Sequence, residues 1–149
     1  MESMTHCLSH RGPDDWGCFI DEESHIGLDH QRLSILDLSK RGHQPMSNEK
    51  QTLFIAYNGE IYNFWEVKKE LSRRGRRFKS NTDTEVLLAS YEEWGMSMVE
   101  KFHGMFAFAL WDKPGQQLVL CRDRAGAKPL YYYWKDGLLL FAKGQTSGT

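Results

Sequence analysis

Apolar and polar residues follow one another along this chain in segments that predict both strands and helices. Residues 16–20 and 26–33 are strand-like and are separated by the short polar segment 21–24, which predicts a β-hairpin. Residues 53–57 are apolar at every position, which is typical of a strand covered on both faces. Residues 38–50 between them lack such a pattern and predict a loop.

The middle of the chain has the spacing of two helices. Phe64–Arg73 repeats apolar residues on one face, Asn63 and Glu66 resemble a capping box, and Gly75 suits a left-handed C-terminal cap. The second helix is predicted to begin after Thr82, which has Glu85 three residues later, and to stop at Gly95. Short helical turns are also predicted for residues 1–8 and 98–102.

The last third of the chain predicts two more hairpins. Residues 105–111 form the densest apolar run, which predicts a fully buried strand that pairs with residues 117–122. Residues 130–134 and 138–141 are joined through Asp136 and Gly137, a strong hairpin signal. Strands in hairpins with helices between them favour an α+β fold whose sheets are covered by helices.

Composition narrows the class of protein. The chain has 149 residues, 40% of them hydrophobic, with 19 Lys and Arg against 20 Asp and Glu, which predicts one globular domain with no affinity for nucleic acid or an anionic membrane. Cys7, Cys18 and Cys121 are too far apart for a zinc or dithiol motif. We also see no secretory leader or membrane span, so we expect a cytoplasmic protein.

Candidate chemistry begins with Asn58 and Gly59, which have two interpretations. The pair is the strongest short signal for a tight turn, because both residues tolerate positive φ. Alternatively, an amide side chain and the next backbone N–H form an oxyanion hole. Nothing in the pair itself decides between them.

Two charged residues also have both a structural and a binding interpretation. Arg32 either pairs with an acid such as Asp37 or holds a substrate carboxylate through two parallel hydrogen bonds. Asp83 either favours the start of a helix or captures a ligand ammonium. The six histidines have no metal-ligand spacing.

Six segments in order give the chain a family resemblance. Together they resemble the class II glutamine amidotransferase domain of asparagine synthetases, from about residue 4 to residue 142. The segments are HRGPDD at 10–15, the Arg32 segment with GHQPM at 42–46, YNGEIYN at 57–63, TDTE at 82–85, residues 104–112, and RDR at 122–124 with KPLY at 128–131.

The resemblance implies a fold and a set of roles. The fold is the four-layer αββα sandwich of N-terminal-nucleophile hydrolases, and here its first strand is expected to be missing. Arg32 would bind the α-carboxylate of L-glutamine, Asp83 and Glu60 the α-ammonium, and Asn58 and Gly59 would form the oxyanion hole. Residues lining the same site would be Leu33, Ile35 and Leu36.

One component of the family pattern is absent from the sequence. Members attack the glutamine amide with a cysteine at the first position, and this chain begins with Met1, so we expect it to be inactive alone. Cys7 is not expected to replace that cysteine, and neither are Cys18 and Cys121, which lie in predicted strands. The implied function is glutamine hydrolysis that supplies ammonia for amide transfer to aspartate in a longer protein. The alternative is a non-catalytic glutamine-binding or partner-binding module.

The remaining expectations concern boundaries and partners. Residues 1–142 are predicted to be the partial glutaminase domain and residues 143–149 a short polar tail. No metal or cofactor is expected in this chain; ATP and Mg²⁺ are implied only for a synthetase domain, the expected partner in a longer protein. A missing sheet strand also predicts self-association through an exposed edge, as a homodimer or as aggregates.

Overall fold

The structure is a computed structural model that describes residues 15–32 and 43–143. The helix predicted for residues 1–8 lies outside the described residues. None of the helices in the described ranges is long and apolar enough to cross a membrane. The elements in chain order are β1 (Asp15–Asp21), β2 (Ile26–Arg32), β3 (Met46–Ser47), β4 (Leu53–Ile61), α1 (Phe64–Arg73), α2 (Asp83–Trp94), a 3₁₀ helix (Gly95–Lys101), β5 (Gly104–Asp112), β6 (Gln117–Arg122), β7 (Leu130–Lys135) and β8 (Leu138–Lys143).

Antiparallel pairing organises these strands into one central sheet and two hairpins. The central sheet has the order β3-β4-β5-β6, while β1 pairs with β2 and β7 pairs with β8. β4 and β5 pair over nine residues, with Tyr57 opposite Phe108. The prediction of a fully buried strand is confirmed from Phe106 to Trp111, whereas Met105 is exposed.

The central sheet is covered on both faces, and alternate residues of β4 show how. Ile55 and Tyr57 belong to the larger apolar cluster, which contains residues of α1 and α2. Ala56 belongs to a second cluster with Leu28 of β2 and with Trp111 of β5. Side chains that alternate along a strand point to opposite faces of the sheet. The described layers therefore follow the order helices, central sheet, β1–β2 hairpin.

Helix ends follow the predictions in three cases out of four, including the end of α2 before Gly95. Gly75 has φ +91° and donates to Ser72 O, and the next N–H donates to Leu71 O, which is the Schellman arrangement expected after α1. The Thr82 side chain accepts from the Glu85 N–H at 3.3 Å and caps α2. The capping box predicted at Asn63 is wrong, because its side chain instead bonds backbone groups of residues 101 and 103.

Two predictions about the segment around β4 need correction. The predicted loop contains β3, whose Met46 and Ser47 pair with β4. β4 itself continues to Ile61, four residues beyond the predicted strand end. Asn58 and Gly59 therefore lie inside a strand, and the tight-turn interpretation of the pair is wrong. The continuous apolar run stops at Tyr57, so the sequence pattern alone ends the strand too early.

The β7–β8 hairpin is the most exposed part of the described chain. Asp136 and Gly137 both have positive φ, as a two-residue type I′ turn requires, so the predicted hairpin is confirmed. Tyr132 is 72% exposed and Trp134 is 65% exposed. Phe141 packs against the cluster on the β1–β2 side of the central sheet.

Candidate active site at the outer edge of β4

Gly59 allows β4 and β5 to approach each other closely. Its φ is +149°, and a Cβ atom placed on it would lie 2.1 Å from the carbonyl oxygen of Met105. Gly104 has the reciprocal position, where a Cβ atom would lie 2.1 Å from the carbonyl oxygen of Glu60. A side chain at either position would force the two backbones apart, since carbon and oxygen atoms do not approach so closely. These two glycines set the backbone path of the strand that carries Asn58.

The backbone groups of Gly59 point away from β5. Phe106, its partner across the pair, directs both of its backbone groups to the other side, towards Asp123. Phe106 N–H donates to Asp123 Oδ2 at 3.2 Å, and Phe106 O accepts from Asp123 N–H at 2.7 Å. Opposite residues in an antiparallel pair either exchange both bonds or turn both groups outward. Gly59 therefore turns its N–H outward, as do Tyr57 and Ile61 at the same spacing.

We call this row of outward backbone groups, from residue 57 to residue 61, the outer edge of β4. Gln44 Oε1 accepts from Tyr57 N–H at 2.6 Å, and Asp83 Oδ2 accepts from Ile61 N–H at 3.1 Å. Gly59 N–H lies between these two, where the described part of the chain places no acceptor. The flanking donors are satisfied by side chains, and the middle donor is open to a ligand.

Asn58 supplies a second donor next to Gly59. It is half-buried, and its side-chain amide makes no hydrogen bond with any other residue in the described ranges. A half-buried amide gains free energy when a ligand satisfies it, because an unmade hydrogen bond there is costly. The structure thus leaves both predicted oxyanion donors available.

Asp83 stands at the start of α2 and meets the same edge. Its carboxylate is 8% exposed, and its Oδ2 accepts from the Tyr57 hydroxyl at 2.6 Å as well as from Ile61 N–H. Burial, and then the charge and hydrogen bond of Asp83, raise the pKa of Tyr57 far above its ordinary value. The Glu60 charge acts on the pKa of Tyr57 in the same direction. Tyr57 therefore remains a donor at every physiological pH.

Two further buried polar residues hold the backbone at Tyr57. His30 Nε2 lies 2.8 Å from Tyr57 O and carries the proton of this bond, since a carbonyl oxygen only accepts. Gln44 is 5% exposed, and besides holding Tyr57 N–H it donates from Nε2 towards Thr84 Oγ1 at 3.5 Å. Both backbone groups of Tyr57 are therefore fixed by side chains from other elements.

The predicted site residues fall into two groups. The structure brings Asn58, Gly59, Glu60 and Asp83 to one end of β4. Arg32 is the last residue of β2, and its side chain lies outside the described part of the chain, so its role stays a prediction. The segment that contains Leu33, Ile35 and Leu36 lies outside the described residues as well.

Sequence reasoning missed three residues of this arrangement. Gln44 lies in the GHQPM segment but has no role predicted from the sequence. Tyr57 was interpreted only as an apolar strand residue, and His30 was considered only as a metal ligand. The available signal was the hydroxyl of Tyr57 at an inward-facing position of a buried strand, because buried hydroxyls almost always have a partner.

The two cysteines in the described ranges lie inside strands, so neither carries the free α-amine of an N-terminal cysteine. Cys18 lies in β1 and Cys121 in β6, as predicted. Burial, and then the Asp123 charge, raise the pKa of Cys121 and so disfavour its thiolate. Within residues 15–32 and 43–143, no three acidic, histidine or cysteine side chains are grouped as a metal site would require.

Solved structures identify the class of fold. The glutamine phosphoribosylpyrophosphate amidotransferase of Bacillus subtilis superposes with a TM-score of 0.72 and 19% identity, over 92% of this chain and 37% of that chain. A second solved structure, described as the allosteric regulatory enzyme of purine biosynthesis, has a TM-score of 0.62 and 22% identity over 74% of this chain and 27% of that one. The predicted α+β sandwich fold is confirmed.

Sequence comparison then identifies the family. The sequence profile described as the glutamine amidotransferase domain matches residues 1–147, and the chain belongs to this family. Asparagine synthetase [glutamine-hydrolyzing] 1 of Bacillus subtilis is 43% identical over 99% of this chain and 23% of its own length. A putative asparagine synthetase [glutamine-hydrolyzing] 2 of Methanocaldococcus jannaschii is 40% identical over 95% of this chain and 30% of its own length.

These relatives confirm the resemblance to the amidotransferase domain of asparagine synthetases. The chain spans between 23% and 30% of the length of the two curated relatives. The predicted division at residue 142 stays a prediction, and the activity of a whole synthetase is a separate question.

Proposed function

We propose that this chain is a glutaminase domain that binds L-glutamine at the outer edge of β4 and, with a cysteine thiolate, releases ammonia from its side-chain amide. The open Gly59 N–H between two satisfied neighbours carries this proposal. An oxyanion that forms on the amide carbon would accept from Gly59 N–H and from the Asn58 side chain. Fixed donors of this kind stabilise charge that develops in the transition state.

The two ends of the amino acid would be held at separate points. Asp83 has one oxygen occupied by Tyr57 and Ile61, while the hydrogen bonds of the described chain leave Oδ1 free for the α-ammonium. Glu60 would add a second negative charge nearby, and Arg32 would bind the α-carboxylate. A ligand that lacked either charge would leave a partner unsatisfied, which accounts for selectivity towards free glutamine.

Chemistry would proceed by attack of the thiolate on the side-chain amide. Carbon–nitrogen cleavage would release ammonia and leave a thioester, which water would hydrolyse to glutamate. Binding is the primary test of the proposal, and ammonia release is the second.

The primary experiment is a calorimetric titration of the purified chain with L-glutamine, with D-glutamine and L-asparagine as controls, together with an ammonia assay. We expect stereoselective binding of L-glutamine. Asp83→Asn should weaken L-glutamine binding by about tenfold to a hundredfold, the effect of losing a charged partner. Asp112→Asn is the matched control. Like Asp83, Asp112 accepts from a tyrosine hydroxyl, that of Tyr91 in α2, but it lies away from the site. Absence of stereoselective binding would contradict the proposal.

The wider role is proposed from the relatives. Within a longer protein, the ammonia would be transferred to aspartate by a synthetase domain, and ATP and Mg²⁺ would be required there and not in this chain. We propose a cytoplasmic setting for that reaction. Self-association through an exposed sheet edge, as a homodimer or as aggregates, also stays a proposal, and sedimentation velocity tests it.

A further inference from the structure

Tyr57 is bonded by side chains from β2, from α2 and from the loop before β3, next to the open donor of Gly59. Its N–H is held by Gln44 at 2.6 Å, its carbonyl oxygen by His30 at 2.8 Å, and its hydroxyl donates to Asp83 at 2.6 Å. The side chain is 3% exposed. The backbone N–H, the backbone carbonyl and the hydroxyl of Tyr57 therefore all have hydrogen-bond partners, which hold both its backbone and its ring in place.

These bonds close a ring around the flanks of Gly59. Asp83 connects the Tyr57 hydroxyl to Ile61 N–H, two residues beyond Gly59. Gln44 connects Tyr57 N–H to Thr84, the residue after Asp83. The start of α2 is thereby tied to the outer edge of β4 on both sides of the open donor.

We propose that Tyr57 is a positioning residue whose hydroxyl orients Asp83 so that Oδ1 faces the α-ammonium of the bound amino acid. This inference rests on the proposed glutamine site and adds a residue to it. Two donors on Oδ2 hold the carboxylate against rotation about its Cβ–Cγ bond. Without the hydroxyl, Ile61 N–H is the one remaining donor of these two to Oδ2, and the Asp83 carboxylate then rotates more freely.

The experiment compares two ligands that differ only in the ammonium. L-glutamine carries it, and glutaramic acid has the same carboxylate and amide without it. Tyr57→Phe keeps the ring and removes only the hydroxyl. We expect Tyr57→Phe to weaken L-glutamine binding by about tenfold, the effect of one hydrogen bond to a charged group. Glutaramate binding should be the same in the parent chain and in the variant.

Tyr91→Phe is the matched control. Tyr91 lies in α2, as Asp83 does, and its hydroxyl donates at 3.3 Å to Asp112 at the end of β5, away from the site. It should leave both ligands unaffected. Titrations are run well below the unfolding midpoint of each variant.

Each outcome separates the positioning role from the function on which it rests. Equal L-glutamine affinity in Tyr57→Phe and the parent chain would overturn the positioning role while leaving the glutamine site intact. Equal losses for L-glutamine and glutaramate would also overturn it, because they would indicate a general structural effect. If the parent chain bound neither ligand, the proposed function itself would fail and the inference with it.

Discussion

β5 and β7 are both strongly apolar strands of hairpins, yet their surroundings are opposite. Phe108 in β5 is 0% exposed, between β4 and β6 and beneath two helices, whereas Tyr132 in β7 is 72% exposed. β7 pairs only with β8 among the strands that the structure describes. An apolar run therefore predicts a strand reliably, but burial depends on which other elements reach it.

The loss of a β5 side chain should have the largest effect on stability. Phe108→Ala removes a fully buried ring at the centre of the larger apolar cluster, and the rigid sheet around it cannot collapse into the space. We expect the free energy of unfolding to fall by about 3–5 kcal/mol. Urea denaturation followed by circular dichroism measures this. A loss of under about 1 kcal/mol would show that β5 is packed as loosely as β7.

A substitution that disturbs the close contact between β4 and β5 should have the second-largest effect on stability. Gly59→Ala places a methyl group against the Met105 carbonyl at a φ of +149°, so we expect a loss of about 1–3 kcal/mol from backbone strain alone. Gly75→Ala is the control, because its φ is +91° but no atom lies within 4 Å of the added carbon. A smaller loss at Gly75 assigns the difference to steric contact with β5. Equal losses at the two positions would argue against a close approach of the strands.

Asp123 connects the buried sheet to the exposed hairpin, and its effect should depend on pH. Its carboxylate accepts from Phe106 N–H in β5 and from the N–H groups of Ala127 and Lys128, which precede β7. Burial raises the pKa of Asp123, but these backbone bonds outweigh burial and hold the pKa below its ordinary value.

A carboxyl whose pKa is lowered on folding stabilises the protein above its ordinary pKa, and the stabilisation disappears as the pH falls through the folded pKa. We therefore expect the free energy of unfolding to decrease as pH falls below about 4, and Asp123→Asn to show a shallower decrease over that window. Urea titrations at several pH values measure both slopes. The same slope in the two proteins would mean that the carboxylate has no such role.

The smallest effect on stability is expected in β7. Tyr132→Ser changes a side chain that contacts little of the protein, so the free energy of unfolding should change by less than about 0.5 kcal/mol. Self-association should decrease nevertheless, because exposed aromatic side chains on a hairpin favour contact between copies. Sedimentation velocity at increasing concentration compares the variant with the parent chain. A large loss of stability would show that β7 is covered after all.

Local pattern was sufficient for most of the element positions. The α1 and α2 helices, the β1–β2 hairpin and the two later hairpins all follow from periodicity and turn residues, because these depend on neighbours within a few positions. The family resemblance added the amidotransferase fold and named four of the residues that meet at β4. Asn63 was interpreted wrongly, since its side chain bonds partners almost forty residues away.

Other features of the site were decided only when the chain folded. From the sequence, Asn58 and Gly59 fit a tight turn as well as they fit an oxyanion hole. Their pairing with β5 places them in a strand and turns the Gly59 N–H outward. Tyr57 became a buried donor because α2 brings Asp83 to it from 26 residues away. Local sequence patterns predict most of the strands and helices, because those patterns depend on neighbours within a few positions. They miss β3 and the end of β4, where the backbone pairs with distant residues. Tertiary structure decided which donors are satisfied and which one stays open, because hydrogen-bond partners come from distant elements.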